Sequence, residues 1–501
     1  MNGAAPTLFV SADHGLALVY FLQSDVVPTL LEAGHKVVLL TDDALRDRIN
    51  SEFGRPGLEV EGLRLDRARR YSDTVRSEQQ WWLTFFRRVG ASRRINTEAM
   101  DSYVDQVAVE ESNRRRLWMP LAWLLIAGLR RSRRLRRRLL DAQRPYVPML
   151  YDDLFEKHAP SVVVASTPGW RLDRYLLREA TQRGVRTAAV VVGWDNPSSY
   201  SLPGAPVEQM TCWSQIQKQE LVEGSDWAPE WVHVGGIPSY DGYFRRQWAI
   251  PREAYFRLHG LDPARRLIAY ACSFISFAPN WPNVEALARL VAEDRLAEPC
   301  QLLVRLHPNH FLDVHLYRAE RERIRRLGRE HPWVHVVEPV PLGGELGYYS
   351  GEDMPEKASM MTHADVFVTV YSTMVVEAAI HDRPIVSLCL DTPQGWDTSR
   401  KYSLPLSRIG GWPTHRRFRE AGAGGVAESV EQLLDSLNAA LADPARERAA
   451  RLAFVEREVT FTDGSAGRRT GEFLRRLAQE GLPSVERLTP LPHRDGTRGL
   501  D

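Results

Sequence analysis

The run ADVFVTVYSTMVVEAAIHDRPIV, residues 364–386, constrains the fold more than any other stretch of the chain. An apolar strand passes directly into a helix at Ser372 and Thr373, and a second apolar run from Pro384 to Leu388 follows that helix. Strand, helix and strand in this order make a βαβ unit, whose crossover is right-handed and whose ligand lies at the carboxyl ends of the strands. The start of the helix leaves backbone N–H groups unpaired and carries partial positive charge, so a phosphate can be held there with the two hydroxyls assisting. Glu377 follows about one turn later, where a carboxylate can accept both hydroxyls of a ribose.

The same alternation fills the rest of the chain. Strand-like runs fall at 7–11, 36–40, 58–63, 161–166, 187–194, near Met210 and at 231–236. After a mixed polar stretch holding Pro251 and Pro263, further runs at 266–272, 302–308 and 333–339 lead into the βαβ unit, and 426–480 is helical in pattern. Strands alternating with helices predict parallel, doubly wound sheets. A chain of 501 residues is also too long for a single core. The expectation is an α/β protein of two Rossmann-like domains, 1–245 on the acceptor side and 246–482 on the donor side, facing a cleft. A helical, basic insertion at about 65–145 interrupts the first domain, and residues 483–501 read as a loose tail.

Composition narrows the partners. Formal net charge is +1, so the molecule as a whole does not attract nucleic acid. The four cysteines are dispersed without a CxxC pair or zinc spacing, which suits reduced core residues in the cytoplasm. The start, MNGAAPTLFVSADHG, has neither the basic end nor the unbroken apolar region of a signal peptide.

One stretch departs from this balance. Between Arg114 and Arg138 there are ten arginines and no acidic residue, framing LWMPLAWLLIAGL at 117–129. That segment is shorter than the about 20 apolar residues a membrane span requires. It can instead lie in the membrane interface, with Trp118 and Trp123 among headgroups and Arg133, Arg134, Arg136 and Arg137 on anionic lipid. The competing reading is a helix packed on its own domain with a solvated basic face.

Three loops carry candidate chemistry. Asp13, His14 and Gly15 follow the first strand, placing an imidazole where a general base is expected. GWDNPSSYS, residues 193–201, follows the most apolar strand of the first half, and its Asp195 competes with His14 for that role. In VRLHPNH, residues 304–310, Arg305 and His307 stand at a strand end of the second half, where they could neutralise a leaving diphosphate.

The order of VGGIPSYD (234–241), VRLHPNH, the 364–386 run and FTDGSAGRR (461–469) resembles the GT-B enzymes of bacterial surface-polysaccharide assembly. The likeness is greatest to those related to CDP-glycerol glycerophosphotransferases and capsule polysaccharide transferases. WDNPSS is similar to a tryptophan-aspartate-asparagine turn of such proteins. The resemblance implies a GT-B fold and a donor site lined by His307, Ser372, Thr373 and Glu377. Two positions depart from the pattern: Ser239 stands where the family often has arginine, and Tyr371-Ser372-Thr373 replaces the commoner paired serines.

Together these readings predict an inverting glycosyltransferase that moves a sugar from a nucleotide diphosphate donor to a polysaccharide or lipid-linked acceptor at the inner face of the cell membrane. No cofactor is expected beyond the nucleotide sugar. The lack of an Asp-x-Asp in a plausible donor loop predicts independence from metal. The alternatives are a CDP-glycerol-type glycerophosphotransferase, a nucleotide-sugar epimerase and a catalytically inactive scaffold of the same fold.

Overall fold

Short runs of branched apolar residues form the centre of each half, because a parallel strand covered by helices on both faces has no solvent side to present. In the computed structural model, which describes residues 6–111, 113–273, 279–343, 348–349, 351–390 and 404–480, the chain divides into two compact units. The first holds residues up to Asp241 together with those from Val459 onward, and the second holds Gly242–Glu458.

The first unit is built on seven parallel strands: β1 (Thr7–Ala12), β2 (Lys36–Thr41), β3 (Leu58–Gly62), β4 (Val162–Ala165), β5 (Arg186–Val190), β6 (Gln209–Cys212) and β7 (Val232–Val234). Their order is β3-β2-β1-β4-β5-β6-β7. Val10 of β1 stands opposite Leu39 on one side and Val164 on the other, all fully buried. The order reverses between β1 and β4, the place where open α/β sheets open a crevice for ligand at their carboxyl ends. The connection between β3 and β4 carries the expected insertion, with six helices from Leu65–Thr74 to Arg133–Asp141.

The last described helix, Ala466–Glu480, belongs to this first unit, whereas the alternation pattern placed it with the second. Both Asp241 carboxylate oxygens accept from its opening N–H groups, those of Ala466 at 2.9 Å and Gly467 at 2.7 Å. An anion on unpaired N–H groups at a helix start is favourable, and Arg186 holds the far end through the carbonyl of Leu477. Periodicity gives a helix but not the sheet it covers. The expected tail at 483–501 lies outside the described residues.

The second unit contains β8 (Arg266–Ala271), β9 (Cys300–Arg305), β10 (Val334–Val337), a small antiparallel pair β11 (Pro341–Gly343) and β12 (Tyr348–Tyr349), then β13 (Val366–Thr369), β14 (Ile385–Leu388) and β15 (Gly425–Ala427). Six of these form a parallel sheet ordered β10-β9-β8-β13-β14-β15. Val368 of β13 pairs with Tyr270 of β8 and Val386 of β14, so the reversal of order falls between β8 and β13. Three residues, Gly-Val-Ala, form β15 at the sheet edge, too few for a periodic signal. The two-domain α/β architecture is thus that of the GT-B class.

Candidate active site

In the first unit, the reversal of strand order brings the end of β1 beside the end of β4. Asp13 and His14 follow β1, and Ser166 and Thr167 follow β4. His14 has extended backbone (φ −162°) and precedes the helix Gly15–Leu22, whose first turn bonds to its carbonyl. Its Nδ1 lies 2.6 Å from Asp13 Oδ1. Asp13 is fully buried and also accepts from Ser166 Oγ at 2.8 Å and Arg171 Nε at 3.0 Å. Burial opposes its ionisation, but Arg171 and His14 overcome that cost and hold its carboxyl well below the usual range. An ionised carboxylate only accepts, so Nδ1 carries the proton in this pair and the neutral ring has its lone pair on Nε2. Burial lowers the pKa of His14 below that of a free histidine; Asp13 raises it and Arg171 lowers it further.

A second acid adjoins the pair. Asp173 is fully buried, and its Oδ2 accepts from Thr167 N at 3.2 Å and Oγ1 at 2.7 Å. Its Oδ1 is buried without a hydrogen-bond partner. Burial, with the charge of Asp13 adding to it, pushes its pKa up to about 7. Arg171 and Asp173 were not singled out from sequence, and Asp13 was named with His14 but given no role. The cue was present in Asp13 preceding His14, whereas Arg171 and Asp173 are placed by the sheet order alone.

Asp195 has a different setting. It precedes the short helix Asn196–Tyr200, and its Oδ2 accepts from Ser199 Oγ at 2.9 Å. Burial raises its pKa. The preceding carbonyls of Gly193 and Trp194 both accept from Gln217 Nε2 at 3.0 Å, so this turn is braced by the helix that follows β6.

In the second unit, β9 ends at Arg305. Its guanidinium is buried against Asp353 and donates from Nε to Glu356 Oε2 at 3.0 Å. Two carboxylates therefore engage the cation that was expected to face a diphosphate. His307 caps the short turn Pro308–Phe311, with Nδ1 accepting from Asn309 N at 3.1 Å. Burial, with His310, Arg305 and Lys357 nearby, pushes its pKa down to about 3, so it is neutral and accepts. His310 is fully buried and pairs through Nε2 with Glu320 at 3.1 Å.

The strand-to-helix turn after β13 falls at the reversal of order in the second sheet. Ser372 Oγ accepts from Met374 N at 3.3 Å, and Thr373 precedes the helix Met374–Ile380 without capping it by its side chain. Glu377 lies on that helix but is buried, with Oε2 2.6 Å from both Tyr243 Oη and Lys357 Nζ. One oxygen of the carboxylate expected at the ribose thus engages an internal cation and a phenol. Lys357, which sequence reasoning missed, stands between the β9 and β13 ends, since it touches Glu377 and also bears on His307. Among the described residues, a further group with metal-ligand spacing is Glu59, Glu61 and His158, where Lys36 and Lys157 already pair with the carboxylates.

The basic stretch sorts into two sets. Arg115, Arg130 and Arg136 are engaged by acidic partners: Glu78 and Glu111, Asp101, and Asp226. Arg136 is buried, donating to both oxygens of Asp226 at 2.7 and 2.8 Å and to Leu129 O at 2.7 Å. It is therefore no membrane contact, a correction to the expectation from sequence. Arg133 is half-buried, whereas Arg134, Arg137, Trp118 and Trp123 are exposed. Among the described residues no helix is long and apolar enough to cross a membrane.

No protein-family model matches the sequence, and no curated protein matches it. Solved structures do resemble the fold. S. aureus MnaA, solved with UDP, superposes with a TM-score of 0.52 at 11% identity over 94% of this chain and 96% of its own. The UDP-GlcNAc 2-epimerase of Neisseria meningitidis bound to UDP-GlcNAc gives 0.50 at 11% identity over 93% and 99%. A glycosyltransferase of Rickettsia africae gives 0.49 at 9% identity over 96% and 100%.

Proposed function

We propose that the chain is a nucleotide-sugar-dependent glycosyltransferase in which His14 takes the proton of the acceptor hydroxyl. The Asp13–His14 pair at the strand-order reversal carries this reading. Asp13 fixes the tautomer that leaves Nε2 basic and stabilises the imidazolium that forms. The acceptor oxygen attacks the anomeric carbon, and its proton passes to Nε2. The bond from that carbon to the diphosphate breaks, its electrons leaving with the nucleoside diphosphate. Attack opposite the leaving group inverts the anomeric centre.

The nucleotide is assigned to the second unit, at the ends of β9 and β13. Ser372 and Thr373 offer hydroxyls at the start of the helix Met374–Ile380, with His307 and Lys357 as the further groups proposed at these strand ends. These groups supply donors and positive charge to the leaving group without calling on a metal ion. Glu377 acts here by holding Lys357 and Tyr243, in place of the ribose contact expected from sequence. Arg305 acts by fixing Asp353 and Glu356 beneath the strand ends. The acceptor class proposed is a polysaccharide or lipid-linked sugar of the cell envelope; a CDP-glycerol-type transfer would use the same base and leaving-group site.

A nucleotide-sugar epimerase is the second reading, favoured by Asp173. A carboxylic acid with a pKa near neutrality, close enough to feel the charge of the Asp13 that orients His14, gives an acid and a base at one strand end. Both readings require nucleotide binding. Since MnaA was solved with UDP and the Neisseria epimerase with UDP-GlcNAc, uridine nucleotides come first in a thermal-shift panel. A nucleotide present at 100 times its dissociation constant stabilises the fold by about 2.7 kcal/mol. No shift with any nucleotide or nucleotide sugar would overturn both readings.

A further inference from the structure

The insertion in the first unit exposes an apolar surface that the proposed chemistry does not use. Thirteen large apolar side chains are exposed among the described residues, and six of them fall within nine positions: Leu117, Trp118, Leu121, Trp123, Leu124 and Leu125. Their exposure runs from 39% at Leu125 to 81% at Leu117. Such clustering marks an interaction surface, because scattered single residues are what folded surfaces ordinarily show.

The helix Met119–Arg131 explains why the patch is unpartnered. Met119, Ala122, Ile126 and Leu129 recur at helical spacing and are buried. The first three pack with Phe85, Val89, Met100, Val104 and Val107 in the core of the insertion. One face thus satisfies the fold, Leu121, Leu124 and Leu125 follow the opposite side, and Leu117 and Trp118 are exposed just before the helix begins. Arg116, Arg131, Arg134 and Arg137 are exposed at either end of this segment, and no acidic residue stands between Arg114 and Arg138.

We infer that this face docks on an anionic phospholipid surface, with the leucines and tryptophans entering the headgroup boundary and the exposed arginines meeting lipid phosphates. Charge selects this occupant over a second copy of the chain. A twofold contact through the same patch would set the arginines of one copy against those of the other, whereas an anionic bilayer meets apolar and cationic groups together. The inference goes beyond the proposed reaction and is tested without reference to it.

The test is co-sedimentation of the full chain with sucrose-loaded vesicles of phosphatidylglycerol and phosphatidylcholine, beside vesicles of phosphatidylcholine alone, in low and high salt. Wild-type protein is expected to pellet with the anionic vesicles and to be partly released by salt. Each arginine near such a surface multiplies the partition by about five-fold, so Arg134→Gln with Arg137→Gln lowers it by about 25-fold. Leu121→Ser with Leu124→Ser lowers it by at least about 10-fold. All four positions are exposed, so circular dichroism should be unchanged. Failure of wild-type protein to pellet with anionic vesicles at low salt overturns the inference, as does binding by both double variants that equals that of wild type. A wild-type dimer that the leucine variant turns into monomer assigns the face to a second copy instead. Tighter binding to a single-stranded RNA oligonucleotide than to the vesicles would likewise overturn it.

Discussion

Asp13 Oδ1 lies 2.6 Å from His14 Nδ1 at the carboxyl end of β1, and Arg171 binds the other oxygen of the same carboxylate at 3.0 Å. The imidazole is thereby oriented by an anion that is itself anchored. Asp195, the rival base, is engaged by Ser199 within its own short turn.

This contrast fixes the first prediction. His14→Ala is expected to lower turnover by about 100-fold to 10,000-fold while donor affinity stays nearly unchanged. Asp195→Asn should change turnover by less than about 10-fold. Steady-state kinetics on both variants checks the assignment, and loss confined to the Asp195 variant would exchange the roles.

The pH profile follows from the direction of the His14 shift. A base must be neutral to accept, so activity rises as pH climbs through its pKa, and burial places that rise below the ordinary histidine value of 6.5. Asp13 opposes the depression. In Asp13→Asn the acid limb of kcat/KM should therefore move to still lower pH, and the plateau should fall by about 100-fold or more because the tautomer is no longer fixed.

Asp173 makes the opposite contribution to stability from most carboxylates. Its pKa stands at about 7 in the folded protein against 3.8 for a free aspartate, so between these values the folded state binds the extra proton. Stability contributed by this group therefore falls as pH rises from about 4 to about 7. Asp173→Asn should be more stable than wild type at pH 8, with the advantage gone at pH 4, as read from urea unfolding at both values. Asp13 runs the other way, its depressed pKa giving stability that is lost as pH falls below the free-aspartate value.

Much of this was legible in the sequence, for reasons that differ by element. Strands such as Val162–Ala165 and Val366–Thr369 are unbroken apolar runs between helices, and that pattern has few structural solutions. The 234–241 and 461–469 motifs were read as marks of an enzyme family, yet in the fold they meet each other: Asp241 caps the helix at Ala466, and Arg469 reaches the carbonyl of Gly235. Their spacing records a junction within the first unit. Ion pairs were least legible. Arg305 with Asp353, Arg136 with Asp226 and Lys357 with Glu377 join residues 20 to 90 positions apart, and nothing local in the chain announces them.

Glu377 illustrates the consequence. Removing one partner of a buried ion pair typically costs about 3–5 kcal/mol, because the remaining charge is left uncompensated. Glu377→Ala should accordingly lose stability on that scale in chemical unfolding. A double variant, Glu377→Met with Lys357→Met, should recover most of it while binding nucleotide more weakly by calorimetry. Full nucleotide affinity in the double variant would remove Lys357 from the donor site.

The central claim is that His14 drives transfer from a nucleotide sugar, and phosphorus NMR of the reaction mixture tests it most directly. With a nucleotide sugar that binds and an envelope-type acceptor, wild-type protein should replace the donor's sugar-linked diphosphate resonances with those of free nucleoside diphosphate, and His14→Ala should abolish the change. Donor resonances that give way to those of an epimeric nucleotide sugar, with the sugar-diphosphate linkage intact, or nucleotide release that survives in His14→Ala, would contradict the account.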